Sequence, residues 1–492
     1  MTRTRDDVWN LTREEGDWPA ALVAYERAVA LLRELDPATG PPSNPRGWRF
    51  LAAMHGLVAP DGGPDRSNEL WSNCQHGSWY FLPWHRMYLM AFELVVQDVL
   101  EDDEWSLPYW YAVDPDDEEK AILPPAFREQ GSNLHTDQRS FPANAGLPLP
   151  DLSQTVIDAL GAEVFSTPAG ISTFGGGERA TPSFNGGEIG LLEGVPHGAV
   201  HSLVGNDYDQ AGNPVRFGWM GSFYTAALDP IFWLHHANID RLWQVWLDLS
   251  PANLNPTGDP AWADTQFSFP SADGDLHTWK ISEVLDPESL GYVYASTAPP
   301  SAVAPPVAPP VAGGPDVGFG EVPVPEPLPP QVIGTTVDVP LATSEPVEVE
   351  LSEPADLGFA LDAEAEPAGA GRVFLRVEGV TGTAAAPVYD VYINLPPGEA
   401  PAEHLELRAG SLSTFGMTEA SQSDDVHDGS GLTTVLDVTS VRDVLEQEGR
   451  WDPARVQVSF HPVTPAATPE EVEAADATPA DLRAGQISVV VT

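Results

Sequence analysis

The sequence predicts a mainly α-helical N-terminal domain, a proline-rich linker and an all-β C-terminal domain. Three observations support this fold class. In the first half, apolar residues recur at three- and four-residue steps, whereas in the last third they alternate with polar residues. Between these regions, proline crowds one stretch. We place the helical domain at residues 1–297, the linker at 298–334 and the β domain at 335–492.

The helical pattern is clearest in five segments. The segment WPAALVAYERAVALLREL places Leu22, Tyr25 and Val29 on one face, as in an amphipathic helix. In the fifth segment Asp229 suits the N-cap and Pro230 the first helical position. The five predicted helices span residues 18–35, 47–57, 84–102, 195–205 and 229–249. Between about residues 112 and 190, frequent Pro, Gly, Ser and Asn predict long loops.

Beyond the linker the hydrophobic period becomes two. Val373, Leu375 and Val377 alternate with bulky or charged neighbours, residues 389–395 and 456–460 repeat the pattern, and the chain ends in ISVVVT. Short strands separated by Gly and Pro turns predict a β-sandwich.

Composition excludes some partners. The 73 acidic and 23 basic side chains give a formal charge of -50, which repels nucleic acid and anionic membranes. No apolar run reaches the roughly 18 residues of a membrane span, and no apolar segment follows the charged N-terminus as in a signal peptide. A single cysteine, Cys74, precludes an internal disulfide. We therefore expect no nucleic-acid or membrane partner and a protein that is cytoplasmic or exported by a partner. Composition leaves open whether the acidity reflects a salt-rich environment or codon bias.

Histidines are the candidate metal ligands of the second half of the helical domain. His197 and His201 are four residues apart and share one helical face. His236 lies on the last predicted helix, where Asp240, four residues on, is expected to orient it through its second ring nitrogen. His235 is rotated about 100° from His236. One of these two is therefore a ligand, and the other is a packed, hydrogen-bonded core residue.

The first half of the domain offers three more histidines. His76 and His85 are nine residues apart, so His76 is expected to approach from a loop and His85 from the start of a helix. His55 completes a set of three, although spacing alone favours a core histidine there. Six imidazoles suit copper, nickel, iron or zinc, and copper heads the affinity order. The spacing predicts two three-histidine metal centres, with copper favoured.

Two long motifs carry a family resemblance. CQHGSWYFLPWH, continuing RMYLMAFE, resembles the first copper motif of tyrosinases and catechol oxidases. LEGVPHGAVH, followed by GWMGSFYTAALDPIFWLHHANIDRLW, resembles the second, and LGYVY resembles the Tyr-x-Tyr element that closes the catalytic domain in plant enzymes. The resemblance implies a four-helix bundle that holds two copper ions and uses O2 to oxidise a small phenol to an o-quinone. The implied ligands are His55, His76 and His85 for the first copper (Cu A) and His197, His201 and His236 for the second (Cu B).

The resemblance also assigns roles around the metals. It implies a thioether between Cys74 and His76, whereas a buried small hydrophobe is the alternative. Phe223 corresponds to a gate aromatic over the second copper, or else to core packing. Glu193 resembles a glutamate that holds a water able to act as a base, with a solvated surface carboxylate as the alternative. Gly198 stands where many monophenol-hydroxylating members carry Asn, so oxidation of o-diphenols is expected more than hydroxylation.

The β domain resembles the C-terminal domain of plant polyphenol oxidases in the stretches RVFLRVEGV and YDVYINLPPG. In those enzymes this domain covers the active site and keeps it latent until removed; the alternative is a domain that only stabilises the fold. The exposed linker suits an activating protease. Phe415 or Met417, in STFGMTE, is the expected plug.

Three functions therefore remain open. The first is a latent oxidase of o-diphenols or o-aminophenols, with O2 and a small phenol as partners and a copper-delivery chaperone as a further one. The second is a haemocyanin-type oxygen carrier with the same histidines. The third is a zinc or other non-copper protein.

Overall fold

The computed structural model describes residues 2–11, 17–167, 170–209, 211–303, 330–341, 346–350, 371–423, 429–452, 455–465 and 481–492. Within these ranges the α-helices are α1 (Ala20–Glu34), α2 (Trp48–His55), α3 (Phe81–Leu100), α4 (Phe141–Ala145), α5 (Ser153–Leu160), α6 (Gly198–Gly205), α7 (Pro230–Leu249), α8 (Pro260–Ala263), α9 (Met417–Ala420) and α10 (Thr439–Gln447). The strands are β1 (Arg3–Arg5), β2 (Gly187–Ile189), β3 (Asp207–Tyr208), β4 (Pro214–Arg216), β5 (Gln266–Pro270), β6 (Leu276–Lys280), β7 (Tyr292–Tyr294), β8 (Gln331–Pro340), β9 (Val347–Glu350), β10 (Val373–Thr381), β11 (Val388–Ile393), β12 (Arg408–Leu412), β13 (Leu432–Asp437), β14 (Arg455–Val463) and β15 (Arg483–Val491).

The long helices follow the apolar periodicity. Helix α7 begins where predicted, because the Asp229 side chain accepts a hydrogen bond from the Ile231 backbone N–H and Pro230 occupies the first turn. The predicted helix at 195–205 differs: it opens as a π turn, Glu193–His197, and becomes α-helical only from Gly198. Such π segments often occur at functional sites.

Helices α1, α2, α3 and α7 enclose an aromatic core. Helix α3 contacts both α7 and α1, and α1 also contacts α2. Phe92 of α3 stacks on Trp233 of α7 with ring centroids 3.6 Å apart. Because both helices are buried along most of their length, they form a rigid support for the residues at their N-terminal ends.

The C-terminal part is a sandwich of two sheets, as the alternating pattern predicts. One sheet has the order β2-β13-β10-β15-β8 and the other the order β12-β11-β14-β9. Leu375 and Val377 of the first sheet share a core with Val391 and Val458 of the second. On the opposite face of the first sheet, Phe374 packs with Val435 and Val490.

The boundary between the two parts differs from the prediction in two ways. Strand β8 begins at Gln331, inside the predicted linker, while 304–329 lie outside the described residues. In addition, β2 comes from the loop-rich part of the helical domain and pairs in parallel with β13, so that Gly187 lies opposite Leu432. The sheet therefore ties the β domain to the helical one through backbone hydrogen bonds. No helix among the described residues is both long and apolar enough to cross a membrane.

Candidate metal centre

Two groups of buried histidines meet at the centre of the helical domain. The first group contains His55, the last residue of α2, His76 from the loop before α3, and His85 from the second turn of α3. The nitrogen atoms that these three rings can offer to a metal lie within 4.8 Å of one another. Helix ends and one loop thus bring together three residues that the sequence predicted as one set.

The second group begins at the π turn. His197 ends that turn, and His201 follows in α6 with its ring centroid 4.6 Å from that of His197. Helix α7 offers two further rings. A donor atom of His235 lies within 4.8 Å of donor atoms of His197 and His201, whereas the Nε2 atom of His236 lies 3.1 Å from the Nε2 atom of His201.

Backbone carbonyls fix the tautomer of four rings. In each, Nδ1 lies 2.8–3.0 Å from a carbonyl oxygen and must donate its proton to it, because a carbonyl oxygen only accepts. The pairs are His55 with Phe223, His85 with Phe81, His197 with Glu193, and His201 with Met220. Each Nε2 is then left with a bare lone pair directed at the centre of the site.

The chemistry of these nitrogens fits a metal. Burial lowers the pKa of His55 to about 4 and the pKa of His85 and His197 well below the ordinary value, so the rings are neutral at pH 7. The Nε2 atoms of all three have no hydrogen-bond partner among the described residues. A buried polar atom without a partner costs about 1–3 kcal/mol. A cation that prefers imidazole, such as copper, would remove that cost at several atoms at once.

Hydrogen bonding distinguishes the two adjacent histidines of α7. The Nε2 atom of His235 lies 3.2 Å from the His197 carbonyl oxygen, so it carries the proton, and only Nδ1 of that ring keeps a lone pair. His201 donates from Nδ1, and its bare Nε2 faces that of His236. Two facing lone pairs repel unless a proton or a cation lies between them. His236 therefore faces the bare Nε2 atom of His201, while His235 is tied to a backbone carbonyl and offers only Nδ1 to the site.

The prediction that Asp240 orients His236 is wrong. The Asp240 carboxylate accepts hydrogen bonds from Arg86 Nε at 2.5 Å and from the Tyr292 hydroxyl at 2.7 Å, and Arg5 lies 3.5 Å away. Burial raises the pKa of Asp240, but the two guanidinium groups more than offset this and lower it. The Nδ1 atom of His236 has no hydrogen-bond partner among the described residues. Two buried cations bind the carboxylate more strongly than a neutral ring does, so Asp240 joins α7 to α3 instead.

Cys74 is fully buried two residues before His76. Burial and the carboxylates of Glu419 and Glu193 raise the pKa of its thiol, which stays protonated at neutral pH. The thioether between Cys74 and His76 stays a prediction.

Glu193 is buried beside the histidines and is not a solvated surface carboxylate. Its two oxygens accept from the Gly77 backbone N–H at 2.8 and 3.1 Å. Burial raises its pKa to about 8, against the opposing effect of that N–H. Glu193 lines a small cavity of about 10 Å³ together with His76 and His197. That space is about enough for one water molecule.

Phe223 lies over the first histidine group, so the prediction that it covers the second is wrong. Its ring stacks on His76 with centroids 4.0 Å apart, and its carbonyl accepts the His55 Nδ1 proton at 2.9 Å. The backbone bond to the end of α2 holds Phe223 on that side.

A loop of the β domain covers the second group. The Phe415 ring lies parallel to His201 at 4.1 Å between centroids and 4.7 Å from Phe223. The prediction that Met417 is a plug is wrong, because its side chain is fully buried in the core of the sandwich, where it packs near Gly382. Phe415 packs with the core of the helical domain and Met417 with that of the sandwich, so the two side chains belong to different cores.

Gly198 lies directly against this loop. A Cβ atom at Gly198 would lie 2.3 Å from Ser413 Oγ and 3.3 Å from Phe415 Cβ. A larger residue at position 198 would require the Ser413 side chain or the loop to move.

Sequence reasoning missed Asn185. This residue is buried in the loop before β2, lines the same void, and donates from Nδ2 to the Gly416 carbonyl at 2.7 Å. Its local sequence, SFNGGE, resembles any turn-rich loop, so only the folded chain reveals its place at the site.

Comparison with protein families and curated proteins gives concordant matches. Residues 45–168 and 153–249 match the family described as the common central domain of tyrosinase, and residues 333–477 match a domain of unknown function (DUF7868). The tyrosinase HcTyr1 of Hahella sp. (strain CCB-MM4) is 31% identical over 94% of this chain and 95% of its own. The polyphenol oxidase of Malus domestica is 31% identical over 55% of this chain and 45% of its own length. The match thus spans just under half of that plant protein.

Solved structures share the fold across both domains. A latent apple tyrosinase superposes with a TM-score of 0.60 at 22% identity and covers 99% of this chain and 97% of that chain. A recombinantly expressed latent aurone synthase gives a TM-score of 0.64 at 21% identity and covers 100% of this chain and 90% of that chain.

Proposed function

Because the chain belongs to the tyrosinase family of dicopper enzymes, we propose that it is an o-diphenol oxidase that its own C-terminal domain keeps latent. The enzyme oxidises phenols with O2, and its cofactors are two copper ions. The observation that supports latency is the parallel contact of Phe415 with His201.

For the metal ligands we propose one residue set per ion. His55, His76 and His85 hold the first copper, while His197, His201 and His236 hold the second. Support comes from the neutral rings, the Nδ1 protons committed to carbonyls and the bare Nε2 atoms. Imidazole donors without a carboxylate favour copper over the hard cations.

When bound, the copper pair supplies the redox chemistry that activates O2 and accepts the electrons of the phenol. The chain's own residues position the substrate and move its protons. We propose that Glu193, through a water in the small void, accepts the proton of the incoming phenol hydroxyl. In the closed form burial holds its pKa at about 8. Opening the lid admits solvent and lets this pKa fall towards its ordinary range, so that Glu193 becomes a carboxylate at neutral pH.

Gly198 supports a diphenolase rather than a hydroxylase. Glycine offers no side-chain amide to orient the water at Glu193, so the more demanding deprotonation of a monophenol is not assisted. An o-diphenol depends less on that assistance. We therefore expect catechols to be the better substrates.

Latency follows from the contacts that the β domain makes with the helical domain. Phe415 fills the space over His201, while the β2–β13 pairing and the Asn185–Gly416 hydrogen bond hold its loop in place. We propose that a protease activates the enzyme by cutting the predicted linker, and that a chaperone delivers the copper. A covered site with room for about one water also suits an oxygen carrier, so the carrier remains the second candidate.

The thioether is a separate proposal. A bond between Cys74 and His76 would fix the loop that presents His76 to the metal. The peptide spanning both residues should then be two hydrogens lighter in mass spectrometry and resist alkylation, whereas a freely alkylated Cys74 would refute the crosslink.

The deciding experiment measures oxidation of catechol and of tyrosine by the copper-loaded protein before and after limited proteolysis. We expect little catechol oxidation before cleavage, rapid oxidation after it, and slow or absent turnover of tyrosine. If catechol is still not oxidised once the β domain is gone, while O2 binds reversibly, the carrier function replaces the oxidase. Efficient turnover of tyrosine after a lag would contradict the role given to Gly198.

A further inference from the structure

The loop that covers the site is itself a peptide with an aromatic residue, and its contacts resemble those of a bound substrate. Phe415 presents its ring to His201, and the next residue, Gly416, presents its carbonyl oxygen to Asn185 Nδ2 at 2.7 Å. One ring and one carbonyl, separated by a single peptide unit, thus occupy the substrate side of the site.

Asn185 is built into the helical domain and not into the lid. Its backbone carbonyl accepts from Ser183 Oγ at 3.0 Å, and its Oδ1 accepts from the Gly186 N–H at 2.7 Å. These bonds fix the side-chain amide so that Nδ2 points at the lid loop. The residue is 1% exposed and lines the same void as Glu193. The bond from Gly186 lies within the helical domain and does not depend on the loop.

We propose that Asn185 is a substrate-positioning residue that selects peptides in which an oxidisable aromatic residue is followed by at least one further residue. This inference rests on the proposed function and names its substrate class. Asn185 Nδ2 donates to the carbonyl of the residue after the aromatic one, as it does to Gly416 in the closed form. A buried donor left without that acceptor loses binding free energy, and sites built around such a bond discriminate strongly against analogues that lack it.

The chemistry on such a peptide is that of the proposed function. A 3,4-dihydroxyphenylalanine (dopa) residue gives up two electrons and two protons and becomes the o-quinone. Two such residues reduce one O2 to two water molecules. The peptide bonds stay intact, and Asn185 takes no part in the electron transfer.

The test uses the full-length chain with its loop opened by Phe415→Ala and Gly416→Ala. Gly416 has a φ of +78°, and a Cβ there would lie 2.1 Å from the Phe223 ring, so we expect alanine to displace the loop from the site. Two probes are compared, N-acetyl-dopa-glycinamide and N-acetyl-dopa-propylamide. They differ by one non-hydrogen atom, and only the first carries the second carbonyl.

Asn185→Asp in this opened chain replaces the donor by an acceptor and keeps the bond from Gly186. We expect KM for the glycinamide to rise about tenfold, KM for the propylamide to stay within about twofold, and kcat to change little for both. Equal shifts for the two probes, or none for either, would overturn the inference, because a merely structural residue cannot tell them apart. Asn185→Ala provides the same comparison if the aspartate variant misfolds.

Binding of non-oxidisable analogues separates this inference from the proposed function. The tryptophan fluorescence of the opened chain and of its N185D variant is titrated with N-acetyl-Phe-glycinamide and N-acetyl-Phe-propylamide. Suppose that neither dopa probe is oxidised, but that the glycinamide analogue binds the opened chain about tenfold more tightly than it binds the N185D variant. The oxidase proposal then fails and the positioning role stands. Equal dissociation constants for the two chains would overturn the positioning role alone.

Discussion

The two histidine groups are covered by different parts of the chain. Phe223 of the helical domain stacks on His76 at 4.0 Å, whereas Phe415 of the β domain stacks on His201 at 4.1 Å. Phe223 is held at the first group, because its backbone carbonyl accepts a hydrogen bond from His55. Phe415 belongs to the β domain, which the predicted linker joins to the helical domain. We therefore propose that access is controlled at the second group, while Phe223 keeps the first covered after the lid leaves.

The two histidine groups are held by the same pair of helices, α3 and α7. Arg86 follows His85 on α3, and Asp240 lies on the α7 helix that carries His236. Their buried ion pair joins the helix of one group to the helix of the other. Substitutions in this ion pair should affect both histidine groups alike, whereas substitution of Phe223 or Phe415 should affect one group.

The largest effect on stability and copper binding is expected at the Arg86–Asp240 ion pair. Asp240→Asn leaves Arg86 buried without its anionic partner, while Arg5 keeps its ion pair with Glu93, and the loss costs about 3–5 kcal/mol of unfolding free energy. Chemical denaturation measures this loss, and both coppers should bind more weakly. Asp98→Asn is the matched control, because it removes the partner of a partly exposed arginine, Arg46, and should cost less than about 1 kcal/mol. Similar losses in the two variants would refute the shared support.

Removing the second cover comes next. Phe415→Ala deletes a buried aromatic contact of about 3 kcal/mol, so we expect catechol oxidation by the uncleaved chain to rise about 100-fold. Phe141→Ala makes the same change at a ring that is 45% exposed and should leave latency unchanged. An uncleaved F415A chain that stays as inactive as the natural one would show that Phe415 is not the plug.

A smaller effect is expected where the lid touches the helical domain. The Cβ of Gly198→Ala would meet Ser413 Oγ at 2.3 Å, whereas that of the control Gly194→Ala meets nothing closer than 3.6 Å. Steric displacement of the loop should raise catechol oxidation by the uncleaved G198A chain about tenfold. Adding Ser413→Gly removes the clash and should restore latency. If the double variant stays active, the effect of position 198 does not act through the lid.

The smallest effect is a pH dependence of latency. In the closed form, burial of Glu188 on β2 raises its pKa to about 7, while Arg376 of the lid opposes this and Glu378 adds to it. Once the lid leaves, the pKa returns towards the ordinary glutamate value of 4.5. The closed form therefore binds the extra proton, and its advantage is lost as pH rises from about 4.5 to about 7.

We expect catechol oxidation by the uncleaved chain, relative to the cleaved enzyme at each pH, to rise about three- to tenfold between pH 5 and pH 8. Glu188→Gln should flatten this ratio. A ratio that rises just as steeply in the glutamine variant would assign the dependence to another group.

Local sequence patterns predicted the features that depend on a single helix or strand. Periodicity located α7 and its Asp229 cap, and helical spacing paired His197 with His201. Alternation located the strands that carry Leu375 and Val377. These features depend on residues within a few positions of one another, so the sequence alone contains them.

Contacts between distant elements could not be predicted in this way. Helical spacing placed Asp240 beside His236, but two arginines from other elements bind its carboxylate. Strand β2 has three residues in a glycine-rich loop and pairs only because β13 lies beside it. The contact between Gly198 and Ser413 joins two domains, and no local pattern records it.

We propose that six histidines hold two copper ions, with His236 rather than His235 in the second set. Copper content per chain, measured after reconstitution and removal of loosely bound metal, tests it directly. We predict two coppers for the natural chain and for His235→Gln, and one for His236→Gln. One copper in the His235 variant and two in the His236 variant would contradict it.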